Sequence, residues 1–470
     1  MTPARSFAGR EVALFGLGGS GLATALALKA GGAQVAAWDD SEAARARAAA
    51  AGIAPVDLAA ADWRRFAALI LTPGAPLTHP APHWTAARAR GAGVEIIGDI
   101  ELFCRERAAL APRARFIAVT GSNGKSTTTA LIAHILDAAG RDVQMGGNIG
   151  VPILELSPPS DATIHVIECS SFQIDLTPSI NPSIGLLLNV TPDHLDRHGT
   201  LENYAAVKAR LVAQADVAVV GVDDEPSRAI ASRLRRGRPR LITVATRAPS
   251  AADIVVEDHR IVERGADGAT TSLDLRGAPA LRGAHNGQNA AFAFAVARAL
   301  GLSVERIALG FASFRSLPHR MEQVGRLDRV LFVNDSKATN ADAAEKALLS
   351  YQDIHWIAGG KPKEGGIEAL RPLFGRIAKA YLIGAAGSEF ARTLEGGAPF
   401  ELCGTLEAAI EAAARDARES RAAEPVVLLS PACASYDQFA NFEQRGDRFR
   451  ALVAEWIARQ DGVQASGSRS

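Results

Sequence analysis

The stretch VTGSNGKSTTT, residues 119–129, decides how the rest of the chain is read. A phosphate-binding loop usually runs Gly, four residues, Gly-Lys-Ser/Thr, and Gly124-Lys125-Ser126 supplies its end. The place five before Gly124 is held by Val119, and the glycine comes two residues later, at Gly121. The chemistry is nevertheless complete. Backbone N–H groups can surround a phosphate, Lys125 can neutralise β/γ charge, and the Ser126 hydroxyl can hold Mg²⁺. A β-type run, RFIAVTG (115–121), precedes it and a helical run, STTTALIAHILDAAG (126–140), follows, which is the strand–loop–helix setting such a site requires.

Outward from this loop, short apolar runs alternate with helical stretches, the pattern of parallel sheets covered by helices. EVALFGL (11–17), AQVAAWD (33–39), ALILTPG (68–74) and VEIIGD (94–99) form one block. RFIAVTG, IHVIECS (164–170), IGLLLNV (184–190), ADVAVVG (215–221) and LITVAT (241–246) form a second. Residues 252–283 are strand-like without helices, which predicts a small β appendage, and AHNGQNAAFAFAVARALG (284–301) reads as a helix. RVLFVND (329–335), IHWIAGG (354–360), AYLIGAAG (380–387) and PVVLLSP (425–431), closed by a helix over 441–460, form the third block. The expected fold is therefore α/β with three domains, each a mostly parallel sheet flanked by helices. They are a Rossmann-like domain over 1–108, a P-loop ATPase-like domain with the β appendage over 109–316, and a second Rossmann-like domain over 317–470.

Composition narrows the function classes. Hydrophobic residues make up 48% and charged residues 22%, and Lys+Arg equals Asp+Glu at 51 each, so charge gives no reason to expect nucleic acid or an anionic membrane as partner. Four cysteines without a CxxC pair suggest small buried thiols in a reducing compartment. With no signal-peptide pattern and no run of ~20 apolar residues, a cytoplasmic protein is expected. GVQASGSRS (462–470) reads as a frayed tail.

A second glycine-rich loop, Gly16-Leu17-Gly18-Gly19-Ser20-Gly21, follows a strand and opens a helix, with Asp39-Asp40 ending the next strand. This is a nucleotide-diphosphate cradle by its local context, although glycines needed only for tight strand–helix packing would leave the same trace. Glu168 and the Asp193-His194 pair end later strands, where ligands meet a parallel sheet, so both can converge on a metal at Ser126. Their plainer alternative is satisfied surface polarity, and Lys208 by itself reads as a solvated helix lysine.

GSNGKSTTT, GGNIG (146–150), ECSSFQID (168–175), NVTPDHLDRHG (189–199), Tyr204 with Lys208, HNGQNAAFA (285–293), LPHRME (317–322), NDSKATN (334–340) and SPACASYDQFANFEQRG (430–446) together resemble the Mur ligases over nearly the whole chain. In that family the ATP loop lacks the early glycine, so residues 119–129 are intact, and the C-terminal motifs resemble the D-glutamate-adding branch. The resemblance implies an ATP-dependent amide-bond-forming ligase acting on UDP-N-acetylmuramoyl-L-alanine and D-glutamate through an acyl phosphate, a cytoplasmic step of peptidoglycan precursor synthesis performed by a monomer. A branch adding another amino acid, such as L-glutamate, is the alternative within the family. An NAD(P)-binding oxidoreductase built on the first loop is the alternative outside it.

By the same resemblance ATP meets Gly121, Ser122, Asn123, Gly124, Lys125, Ser126 and Thr127, with Asn289 and Arg320 toward adenine and phosphates and Asp335 near the ribose. Two Mg²⁺ ions are implied, one on Ser126 and Glu168 and one on His194 and an N6-carboxylysine at Lys208; Lys125, His194 and Lys208 are the catalytic set. Gly18, Ser20 and Gly21 would cradle the UDP diphosphate, Asp39, Asp40, Thr72, Pro73 and Gly74 the uracil and ribose, and Asn148 and His194 the sugar or lactyl-alanine end. D-Glutamate would meet Lys337, Thr339, Lys363, Ser435, Tyr436 and Phe442. The chain departs from the family's pattern at Cys169, where Leu is expected, at Ser122 in place of Thr, and in the 359–363 variant of a GGxxK loop.

Overall fold

Four parallel strands open the chain, β1 (Glu11–Phe15), β2 (Gln34–Trp38), β3 (Ala68–Leu71) and β4 (Glu95–Ile97), in the order β2-β1-β3-β4. The computed structural model describes residues 1–237, 240–246, 251–265 and 268–467. Every residue of β3 is buried, as continuous apolar runs in a sheet covered on both faces should be. The helix Asp99–Leu110 then leads from this sheet into the next and is stitched to both. Glu106 accepts from the backbone N–H groups of Arg5 and Ser6, at 2.7 and 2.9 Å, while Glu101 accepts from the Ser179 N–H and hydroxyl, both at 2.9 Å. Phe103 of the same helix meets Phe116 edge-on, with centroids 5.5 Å apart, inside one apolar cluster drawn from both sheets.

The second sheet holds β5 (Arg115–Thr120), β6 (Val143–Gly147), β7 (Ile164–Glu168), β8 (Ile184–Leu187), β9 (Val217–Gly221), β10 (Arg240–Ala245), β11 (Ile254–Glu257), β12 (Arg260–Arg264) and β13 (Thr270–Asp274). Among the described residues its order is β13-β12-β11-β10-β9-β8-β5-β7-β6. It is parallel from β6 to β11, and the helix-free residues predicted as an appendage extend it as antiparallel β12 and β13. Residues 1–277 and 287–312 make one compact unit; residues 278–286 and 313–470 make the other.

The second unit contains β14 (Glu322–Leu327), β15 (Val330–Asn334), β16 (Ile354–Gly359), β17 (Ile377–Ile383), β18 (Phe400–Gly404) and β19 (Val426–Leu429), ordered β14-β15-β19-β16-β17-β18. Among the described residues only the β14–β15 strand pair of this sheet is antiparallel. Its final helix spans Phe442–Gly467, so residues expected to fray from 462 onward continue the helix, and 468–470 lie outside the described residues. All four cysteines are free, and Cys403 departs from the expectation of burial by being only half-buried. Among the described residues no helix is long and apolar enough to cross a membrane.

Candidate active site

The carboxyl ends of β5, β6, β7 and β8 gather the central motifs. β5 ends in the phosphate loop and pairs with β7 so that Val119 lies opposite Glu168, while β6 brings Gly147 against Glu168 from the other side. Gly124, at φ +84°, caps the helix Lys125–Ala138, and a Cβ there would collide with the Asn289 side-chain oxygen. That oxygen accepts from the Thr128 hydroxyl at 3.1 Å, which docks Asn289 beneath the loop. Asn189 holds the loop from β8. Its carbonyl accepts from Ser122 N–H at 3.0 Å and its side chain from Asn123 N–H at 2.9 Å.

Two cations share this loop. Lys125 Nζ donates to the carbonyls of Gly121, at 2.9 Å, and Ser122, at 2.7 Å; Lys208 Nζ donates to Gly121 O at 2.9 Å and the Thr120 hydroxyl at 3.3 Å. Contrary to its reading as a solvated helix lysine, Lys208 is 1% exposed. Burial first, and then the Lys125 charge, push its ammonium well below the ordinary lysine range. Tyr204, one turn earlier on the same helix, places its ring 4.5 Å from Lys208 Nζ and its hydroxyl 3.2 Å from Ser122 Oγ.

Glu168 is also 1% exposed. One carboxylate oxygen accepts from Asn148 Nδ2 at 2.7 Å; the other is buried and has no partner among the described residues. A buried carboxylate oxygen without a donor is costly unless something positive faces it, so the chemistry of Glu168 fits a Mg²⁺ ligand, and the Ser126 hydroxyl is buried as well. Among the described residues no three His, Cys, Asp or Glu side chains form a metal-holding cluster. His194, at φ +52°, starts the short helix Leu195–His198, and its half-exposed ring meets Phe172 edge-on at 4.9 Å. His198 stacks on the same Phe172 ring and meets Ser171 Oγ at 2.9 Å; burial lowers its imidazole to about 4.

The first glycine loop is built for close approach. A Cβ at Gly21 would strike the Gly16 carbonyl, one at Gly16 would strike Thr72, and Gly18 and Gly19 face open space. Asp39 proves to be a brace, accepting from Leu17 N–H at 2.6 Å and Ser41 N–H at 2.8 Å, whereas Asp40 is exposed. The 73–75 turn is gripped by Arg197, whose guanidinium donates to the carbonyls of Gly74 (3.0 Å), Pro73 (3.2 Å) and Ala75 (3.0 Å).

In the second unit, the carboxyl ends of β15, β16 and β19 bring together the residues expected around the amino acid. Lys337 Nζ lies 4.2 Å from the Phe442 ring centroid, and the Lys361 N–H donates to Ala434 O at 2.9 Å, joining the loop of Lys363 to that of Ser435. Ser435 is buried; Lys363 and Tyr436 are exposed. Arg445, which sequence reasoning missed, unites these turns. It is 1% exposed and donates to the Ser336 hydroxyl (3.0 Å) and to the carbonyls of Ser336 (2.8 Å) and Cys433 (3.1 Å). Burial lowers its guanidinium to about 10, against the smaller opposing effects of Cys433 and Asp437. Asp335 is turned inward, accepting from Met321 N–H at 3.1 Å and the Ser430 hydroxyl at 2.8 Å. Its only sequence signal, like that of Arg445, was membership in a quoted motif.

Comparison with known proteins gives the family. Residues 119–297 match the Mur ligase middle domain and residues 319–433 the Mur ligase glutamate ligase domain. The chain is 60% identical over 456 residues to the UDP-N-acetylmuramoylalanine–D-glutamate ligase of Nitrobacter hamburgensis, covering 96% of this chain and 98% of that one. It is 58% identical over 467 residues to the enzyme of the same name from Mesorhizobium japonicum, covering 99% of both. Its fold is shared with the UDP-N-acetylmuramate-alanine ligase of Thermotoga maritima, at a TM-score of 0.56 and 19% identity over 96% of this chain and 99% of that one. With matches of this identity running almost end to end, the chain belongs to the Mur ligase family.

Proposed function

We propose that this chain uses ATP to join D-glutamate to the alanyl carboxylate of UDP-N-acetylmuramoyl-L-alanine, a step of peptidoglycan precursor synthesis. The observation that carries the reading is the phosphate loop itself, where Lys125 and Lys208 converge on the Gly121 carbonyl. A carboxylate is a poor acyl donor until its oxygen becomes part of a better leaving group. Its attack on the γ-phosphorus of ATP gives an acyl phosphate and ADP; the D-glutamate amine then adds to the acyl carbon, and phosphate departs. Lys125 and the loop N–H groups stabilise charge on the transferring phosphoryl group. Mg²⁺, when bound at Ser126 and Glu168, would supply further neutralisation of the phosphate oxygens.

His194 and Lys208 would serve a second ion, and an ammonium cannot ligate one. The depressed basicity of Lys208 favours the neutral amine, whose lone pair can add to CO₂ with loss of a proton to give an N6-carboxylysine. The UDP moiety would lie over Gly18, Ser20 and Gly21 and against the 72–74 turn, with Asn148 and His194 toward the sugar. Asn289, Arg320 and Asp335 would meet the nucleotide, and Lys337, Thr339, Lys363, Ser435, Tyr436 and Phe442 the D-glutamate. On this reading residues 1–108, 109–316 and 317–470 are the domains for UDP-sugar, ATP and amino acid, and the enzyme acts as a cytoplasmic monomer.

The test is phosphate release with ATP, Mg²⁺ and UDP-N-acetylmuramoyl-L-alanine against a panel of D- and L-amino acids. Release that requires D-glutamate is expected. Release with L-glutamate in its place would move the chain to another branch of the family, and release independent of the UDP compound would overturn the reading.

A further inference from the structure

We propose that Arg197 is a positioning residue that ties the uridine-side turn of the first sheet to the segment carrying His194, and so sets the spacing between the two anion loops; this rests on the function proposed above. The contacts run from Gly16 of the first loop to His194. Thr72 packs against Gly16 of the first glycine loop, where a Cβ would strike its side chain, and the Thr72 N–H donates to Phe15 O at 3.0 Å. The next three residues present their carbonyls to one guanidinium, at 3.0–3.2 Å. Arg197 in turn lies with its Cζ 4.5 Å from the Phe172 ring centroid, the ring that the His194 imidazole meets at 4.9 Å. Arg197 and His194 also share a helical turn, with Arg197 N–H donating to His194 O at 3.0 Å.

A second contact runs alongside. Gly199, at φ +79°, leaves room for the His79 ring, whose Nε2 would be 2.9 Å from a Cβ at that position. The planar guanidinium suits this task because it offers five donors in a fixed fork and keeps its charge at any working pH. Three converging backbone carbonyls supply no net negative charge, so the contact is a clamp on backbone geometry rather than an ion pair. A UDP-sugar held at one end by the first loop must deliver its alanyl carboxylate to the γ-phosphate at the other. Small errors in that span are costly to rate.

The test compares Arg197→Met and Arg197→Lys with the wild type for kcat, for KM of UDP-N-acetylmuramoyl-L-alanine and of ATP, and for calorimetric binding of UDP. Arg197→Met should raise the KM for the UDP-sugar about tenfold and weaken UDP binding to a similar degree, with the KM for ATP changed less than about twofold. Arg197→Lys, whose single ammonium cannot meet three carbonyls, should recover only part of the loss. It also carries the measurement if the methionine variant does not fold. Equal rises in both KM values, or a UDP-sugar KM unchanged in either variant, would overturn the proposal while leaving the ligase reading intact. A wild-type enzyme without turnover would sink both.

Discussion

Replacing Asp335 by asparagine should make the protein more stable at pH 8 while leaving it nearly unchanged near pH 4. Burial pushes this carboxyl up to about 7 from 3.8, against the smaller opposing effects of the Ser430 hydroxyl, the Met321 N–H and the Arg320 charge. In the unfolded chain the group ionises near its ordinary value; in the folded chain it keeps its proton until neutrality. Stability is therefore full below the unfolded value, falls as pH rises between the two, and is lowest above the folded one. One proton bound only by the folded state gives a slope of about 1.4 kcal/mol per pH unit, so the window from 3.8 to about 7 corresponds to about 4 kcal/mol. Asparagine is nearly isosteric and can still accept from the Met321 N–H, while the Ser430 hydroxyl can reverse and accept from the new amide. Urea unfolding of both proteins at steps from about pH 4.5 to 8, followed by tryptophan fluorescence, measures the difference. Curves that run parallel across this range would refute the argument that Asp335 is held neutral by burial.

Gly124→Ala should raise the KM for ATP on the order of tenfold or more, since its φ of +84° disfavours any side chain and the added methyl strikes Asn289; UDP binding, measured by calorimetry, should be untouched. Lys208→Ala should lower kcat on the order of a thousandfold in a phosphate-release assay, with partial recovery on adding acetate or formate to replace the carbamate; full activity would contradict its assigned role. Arg445→Met leaves buried oxygens of Ser336 and Cys433 without their donor, and should destabilise the second unit by about 3 kcal/mol in urea unfolding while raising the KM for D-glutamate.

The architecture was largely legible because each apolar run is short and each is followed by a helical stretch, so the period of hydrophobicity changes from two to 3.6 at every boundary. The residues 252–283 expected to be strand-like without helices supply β11 and the antiparallel β12 and β13 of the central sheet, although Pro279–Leu281 form a short 3-10 helix. The phosphate loop was equally plain, since its glycines and Lys125 are adjacent in sequence and act through local backbone geometry. Asp39 shows the limit. Its place at a strand end suggested a ligand, but only the folded chain brings the Leu17 N–H within 2.6 Å and turns the carboxylate into a brace. Arg197 and Arg445 were invisible for a related reason. Apart from the Ser336 hydroxyl, their partners are backbone carbonyls, and a carbonyl leaves no residue-specific mark in a sequence.

What the amino-acid order alone determined is local: which segments are strands, where backbone must turn with positive φ, and which residue types stand next to a phosphate. Tertiary structure alone decided that Lys208 loses its water and shares the Gly121 carbonyl with Lys125, across 87 residues of chain. It also decided that one oxygen of Glu168 is left without a donor among the described residues. Both outcomes are matters of desolvation. The charge on a lysine or a glutamate is the same at every position in a sequence, but its free energy depends on how much water and which dipoles surround it, and those are set by segments that meet only when the chain folds.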